Sequence, residues 1–272
     1  MLATKHEKLP LVAPPLEREI GMRVEAVAVD TDVLGTFTGD VPRPGPPLDT
    51  AVAKARLGLA ATGATLGLAS EGSVGPDPAL PLVQSDHEIV VLVDDEAGLV
   101  IWERAESWDV VARSLSVEPG QDLDPFLAAS GFPEHRLIVR PSAGPRTPVH
   151  KGIASLEELR VAVAACAAVA ADGRARVEND LRAHACPSRR VVIAAAAARL
   201  ATRVARRCPA CGAPGWGQVE LLLGIPCSAC GTEVARPRAE VDGCVACDHR
   251  TTRPVPRSAA EADPSECPFC NA

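Results

Sequence analysis

Eight of the ten cysteines in this 272-residue chain fall into four CxxC pairs: Cys208 with Cys211, Cys227 with Cys230, Cys244 with Cys247, and Cys267 with Cys270. Random placement of the cysteines would give only about 0.3 such pairs, so the four are used together. A CxxC turn presents two sulfurs from one tight loop, and two such loops supply the four soft ligands that tetrahedral zinc prefers. Glycine follows the second cysteine in Cys208-Pro-Ala-Cys211-Gly212 and in Cys227-Ser-Ala-Cys230-Gly231. A left-handed residue there would aim backbone N–H groups at sulfur. Gaps of fifteen residues between the first two pairs and nineteen between the last two each suit a hairpin, which favours sequential pairing into two zinc ribbons. Crossed pairing (first with third) and nested pairing (first with fourth) stay open. A segment this small and poor in aromatics cannot build a sufficient core, so two structural zinc ions are expected to supply much of its folding free energy. Cys166 and Cys186 stand apart and read as core residues.

A second set of residues could handle phosphate. Polar, glycine-containing runs fall where strands should end: Ala3-Thr4-Lys5-His6-Glu7-Lys8, Asp30-Thr31-Asp32, Gly35-Thr36-Phe37-Thr38-Gly39, and Ser70-Glu71-Gly72-Ser73 followed by Gly75-Pro76. Their hydroxyls, amides and cations suit phosphate, and their carboxylates suit magnesium. None is a Walker or Rossmann fingerprint.

The elements that must position these runs alternate along the first 150 residues, as in an α/β domain with a mixed sheet and flanking helices. The pattern predicts a strand over Met22 to Asp30, a helix over Leu48 to Gly63 starting at Asp49 or Thr50, and a buried strand over Thr65 to Ser70. A hairpin follows, Glu88 to Asp94 and Leu99 to Arg104 around Asp95-Glu96-Ala97-Gly98, and then a strand over His135 to Arg140. Three parts result: an α/β domain over 1–150, a helical segment over 151–207 that completes or links it, and a double zinc-ribbon module over 208–272.

Composition bounds the function. Apolar residues make up 47% of the chain and charged ones 23%, the balance of a folded globular protein. The longest apolar run, Val161 to Ala171, falls short of the ~20 residues that span a bilayer, and the charged N-terminus does not read as a signal peptide. A cytoplasmic chain with no membrane contact is expected. The net charge is −7, and from Cys208 onward five arginines face eight acidic residues, which disfavours polyanion binding by the tail. Between Arg174 and Arg207, by contrast, nine arginines meet only Glu178 and Asp180. On a helix from about Ser188 to Arg207, Ile193, Ala197, Leu200 and Val204 form an apolar stripe, with Arg199, Arg203 and Arg206 on a neighbouring face that reads as solvated.

The order ATKH, DTD, GTFTG, DTAxxKA, ASEGS-GP, KGI, VENDLRAH and four CxxC pairs ending in CNA resembles a bacterial family catalogued as domain of unknown function 6671. The likeness covers nearly the whole chain and brings no activity with it. The N-terminal part is also similar to inosine triphosphate pyrophosphatases and their relatives. These have a strand into ATxNxxK, a helix containing an E-x-A-x-x-K-A type run, and a strand ending in an acidic, glycine-containing turn. Ala3-Thr4, Asp49-Thr50-Ala51 with Lys54-Ala55, and Ser70-Glu71-Gly72 occupy those places. Here His6 replaces the asparagine, Lys8 comes one place early with Leu9 in the lysine position, and the acidic pair is reduced to Glu71.

That resemblance implies a pyrophosphatase-like α/β fold in which Glu71 and Asp49 bind magnesium or manganese, and Lys54 and Thr4 touch phosphate. The strand-end runs add Lys8, Thr36, Thr38 and Ser73 as phosphate ligands, and Arg182 with His184 would close the site from the second segment. The leading expectation is a magnesium-dependent hydrolase of nucleotides or phosphate esters. The alternative is a ligand-binding adaptor whose zinc ribbons dock a protein or RNA partner.

Overall fold

The computed structural model of the chain describes residues 1–35, 41–254 and 261–271. Strand β1 (Leu2–Ala3) leads into helix α1 (Leu9–Ile20), strand β2 (Ala26–Val27) and a 3-10 turn over Thr31–Leu34. Helix α2 (Pro47–Thr62) then returns to strand β3 (Leu66–Pro76), which continues into β4 (Gln84–Asp94) and β5 (Leu99–Ser107). These strands form one mixed sheet in the order β2-β1-β3-β4-β5. β1 is parallel to both neighbours, whereas β3, β4 and β5 are antiparallel.

Alternation along β3 and β4 decides which helix covers which face. Leu68, Val90 and Leu92 pack with Val12 and Leu16 of α1, while Ala69, Val91 and Val93 pack with Ala51, Ala55 and Leu59 of α2. The two crossover helices therefore lie on opposite faces. Helix α5 (Pro187–Ala205) joins α1, burying Ile193, Ala197, Leu200 and Val204, the stripe read from its sequence.

Between β5 and α5 the chain builds a second sheet, β6 (Ser114–Val117), β9 (Ala175–Asn179), β7 (Leu137–Pro141) and β8 (His150–Ile153), in that spatial order. Strands on both sides of residue 150 contribute to it. Helices α3 (Asp124–Ser130) and α4 (Leu156–Val169) supply Leu127, Leu159, Val163 and Cys166 to its core. α4 opens on a capping box, with Ser155 Oγ accepting from the Glu158 amide and the Glu158 carboxylate accepting from the Ser155 amide.

One expected strand needs correction, and one helix was not expected from the sequence. The strand over 22–30 shrinks to Ala26–Val27, because its only partner in the sheet, β1, offers just Leu2 and Ala3. Helix α1 went unread because Pro10, Pro14 and Pro15 occupy it. Pro10 sits in the first turn, where no amide partner is lost, and burial of Val12, Ala13 and Leu16 outweighs the two bonds that Pro14 and Pro15 remove.

The tail is a three-stranded antiparallel sheet of β10 (Gly217–Pro226), β11 (Glu233–Gly243) and β12 (Arg250–Pro254). No helix among the described residues is long and apolar enough to cross a membrane.

Candidate functional site

The eight CxxC cysteines form two groups of four, and the grouping is crossed. Cys208, Cys211, Cys244 and Cys247 make one, and Cys227, Cys230, Cys267 and Cys270 the other, with each group's sulfurs within 4.8 Å of one another. This corrects the expected sequential pairing, and strand length is the reason. The ten residues of β10 at about 3.3 Å each separate the first knuckle from the second by roughly 33 Å. The antiparallel register Gly217↔Gly243 instead brings the third knuckle beside the first. The fourth joins the second through Ala262, which bridges Cys227.

The cages have the dimensions of a zinc site. Sulfur–sulfur separations are 3.9 Å for Cys208–Cys247, 3.6 Å for Cys211–Cys244, 3.9 Å for Cys227–Cys270 and 3.6 Å for Cys230–Cys267. Tetrahedral zinc with sulfur at about 2.3 Å sets edges of about 3.8 Å, whereas a disulfide needs about 2.05 Å. Gly212 and Gly231 take left-handed φ values of 75° and 74° as expected. Their amides close the turn onto the Cys208 and Cys227 carbonyls, and Cys244 Sγ instead accepts from the Ala246 amide.

Residues of three strand-end runs, with Gly35 at the start of the remaining one, converge at the carboxyl ends of β1 and β2, the place where open α/β sheets leave a crevice. β1 stops one residue beyond its pairing with Leu68, so Ser70 to Val74 of β3 line an open edge. A cleft of about 300 Å³ lies there, and Thr4, Lys8, Lys54, Glu71 and Ser73 all line it, five of the expected residues. Arg43 and Arg189 also line it and were not singled out from the sequence.

Its electrostatics are cationic. Lys5, Lys8, Arg43, Lys54 and Arg189 line the cleft against two carboxylates, Asp32 and Glu71, in a chain of net charge −7. Glu71 holds two cations: Arg43 Nη2 donates to Oε1 at 2.7 Å and Lys54 Nζ to Oε2 at 2.6 Å. Arg43 also donates to Ser73 Oγ at 3.1 Å and to the Gly72 carbonyl at 2.8 Å. Lys5 bridges Asp30 and Asp32 at the rim. Burial, reinforced by Lys8 and His184, holds the His6 imidazole down at about 4 and therefore neutral.

Behind this wall lies a buried charge cluster. Arg189 at the start of α5 donates to Glu88 on β4, and both are almost fully buried. Gly72 lies opposite Glu88 in the β3–β4 register, and any Cβ there would overlap the Glu88 carboxylate and the Arg189 guanidinium. Asp86, two residues along β4, is also buried, and burial with the nearby Glu88 charge pushes its carboxyl up to about 7. The sequence carried a signal for Arg189: acids at positions that share a sheet face with Val90 need a buried counter-cation. Arg43, alone in a proline-rich loop, carried none.

Other expected site residues lie elsewhere. Asp49 is exposed on a groove with Val52 and Arg56, because five helical positions rotate it about 140° from Lys54. Arg182 lines a neighbouring cleft on the second sheet and pairs with Asp180, although the ring of nearby His184 lies tilted against that of His6 with centroids 5.2 Å apart. Thr36 and Thr38 lie outside the described residues. Magnesium or manganese does not fit what remains. Both Glu71 oxygens are taken by cations, and among the described residues only the cysteine groups bring three or more His, Cys, Asp or Glu ligand atoms together.

The basic run from Arg174 to Arg207 does not form the solvated face expected of it throughout. Arg203 is buried and bonds the Gly215 and Trp102 carbonyls and Glu103, tying the first cage's approach to β5.

No curated protein and no solved structure matches the chain, so the likeness to inosine triphosphate pyrophosphatases rests on motif order alone. The family model described as "Domain of unknown function (DUF6671)" matches residues 54–272, a span that takes in β3, the Arg189 helix and both cysteine groups, and the chain belongs to that family.

Proposed function

We propose that the cleft binds the phosphate of a small molecule, a nucleotide or another phosphate ester, and that the two cysteine cages hold structural zinc ions. The observation that carries this reading is the convergence of five cations on one cleft of an acidic protein. Arg43 supports it most directly, since a guanidinium already forked between Ser73, Gly72 and Glu71 is oriented for a tetrahedral oxyanion. Thr4 and Ser73 hydroxyls complete a polar lining of phosphate size. Each zinc would have all four positions filled by thiolate, which leaves it no catalytic vacancy.

Calorimetric titration with inorganic phosphate and a panel of nucleoside phosphates tests the reading. Binding should weaken with added salt and fall about tenfold in Arg43→Ala, the size of a lost charge-assisted hydrogen bond. Binding to none of the panel would overturn it.

One observation favours an adaptor role alongside ligand binding. Val219, Leu221 and Leu223 are exposed in a row on β10, with Phe269 exposed beyond the second cage. Such a row fits a protein partner better than RNA, because the tail around it is acidic. Changing the three β10 residues to serine should abolish partner capture and spare phosphate binding.

A further inference from the structure

Four of the five cations in the cleft are paired with carboxylates: Lys5 with Asp30 and Asp32, Arg43 and Lys54 with Glu71, Arg189 with Glu88. Lys8 differs. Among the described residues it is in no ion pair, and its Nζ donates to the hydroxyl of Ser70 at 2.8 Å. Ser70 is 4% exposed and lines the same cleft.

The backbone fixes both partners. Lys8 caps α1, its carbonyl accepting from the Leu11 and Val12 amides, and Ser70 sits in the β3–β4 ladder opposite Val90. The groups facing Lys8 are Glu71 on β3, Asp86 and Glu88 on β4, Lys54 on α2, Arg189 on α5 and His6 in its own loop. Burial dominates, and with Arg189 and Lys54 it brings the amine down to about 8 against the pull of Glu88 and Glu71. About a tenth of the molecules then carry a neutral amine at pH 7.

We infer that Ser70 is a nucleophile and Lys8 its general base, so that the cleft cleaves phosphate monoesters through a phosphoseryl intermediate; this rests on the phosphate reading of the cleft. The neutral Lys8 amine takes the Ser70 proton as Oγ bonds to phosphorus and the bond from phosphorus to the leaving oxygen breaks. The Lys8 ammonium returns that proton to the departing alkoxide. Water then attacks phosphorus as the bond from phosphorus to Ser70 Oγ breaks, and its proton passes through Lys8 to Oγ, which yields inorganic phosphate and restores the Ser70 hydroxyl. Arg43 and Lys54 would hold the phosphoryl oxygens.

A fluorophosphonate reagent tests the pair without knowledge of the substrate, because it offers tetrahedral phosphorus with fluoride as the leaving group. Intact mass and peptide mapping should place one adduct on Ser70, absent in Ser70→Ala. Lys8→Arg keeps the charge but cannot serve as a base, so it should slow labelling at least tenfold while phosphate still binds. The rate should rise with pH to a plateau above about 8 as Lys8 loses its proton. Phosphate binding without Ser70 labelling, or equal labelling of Lys8→Arg, overturns the nucleophile and leaves the phosphate reading standing. Labelling without phosphate binding supports the pair and overturns the phosphate reading, and failure of both overturns both.

Discussion

The cysteine tail and the cleft both assemble charged groups from distant parts of the chain, but they neutralise those charges differently. In the tail, four cysteine sulfurs converge in each cage, and the apolar cluster around the second cage consists of Ile225, Cys227, Val234, Ala262 and Cys267. In the cleft, cations and carboxylates neutralise one another, backed by a core that includes Leu2, Leu16, Leu68, Ile193 and Leu200. On the proposed reading a metal would be part of the tail's fold, whereas the cleft's five lining cations would meet an anion without one.

The largest expected effect lies in the tail. Structural zinc contributes an apparent folding free energy of about 10–16 kcal/mol in finger peptides, so strong chelator should unfold residues 208–272 and leave the five-stranded sheet in place. Zinc analysis of double variants sharpens the contrast. Cys211→Ser with Cys244→Ser should retain one equivalent, because both lie in one cage, while Cys211→Ser with Cys227→Ser should lose both. The reverse pattern would restore sequential pairing.

That pairing shows what was legible and what was not. The CxxC spacing exposed all eight ligands, since two thiolates per turn is a local property. Which turns share an ion depends on the length of β10 and the β10–β11 register, which are not local. The cleft divides in the same way. Lys8, Glu71 and Ser73 stand in recognisable runs at strand ends and Lys54 in a helix motif that the resemblance supplied, but Arg43 and Arg189 arrive from a proline-rich loop and a distant helix. Asp49 was misplaced because a motif shared with a hydrolase family does not state which side of the helix it occupies. The hairpin of β4 and β5 is readable from its two Val- and Ile-rich runs around the turn at Asp95-Glu96-Ala97-Gly98, whereas α1 is hidden by prolines that its buried face tolerates.

A smaller effect is expected behind the cleft. Asp86 has a folded value of about 7 against 3.8 when unfolded, so the folded state binds the extra proton between those limits. Stability contributed by the protonated form is present below about pH 4 and is lost as pH rises to 7. Asp86→Asn does not titrate, and denaturant unfolding should show its stability gaining on the parent chain across that window and levelling off above it. A difference that does not change with pH would remove the buried acid from the account.

The smallest effect is the most direct test of what Glu71 does. If it is a counter-ion for Arg43 and Lys54, then Glu71→Gln frees both for a ligand. Inorganic phosphate measured by calorimetry should bind about two- to fivefold more tightly, the range of a lost ion pair worth ~0.5–1 kcal/mol, with no dependence on added magnesium. Weaker binding in Glu71→Gln, or binding that appears only with magnesium in the parent protein, would contradict the account and return Glu71 to the role of metal ligand.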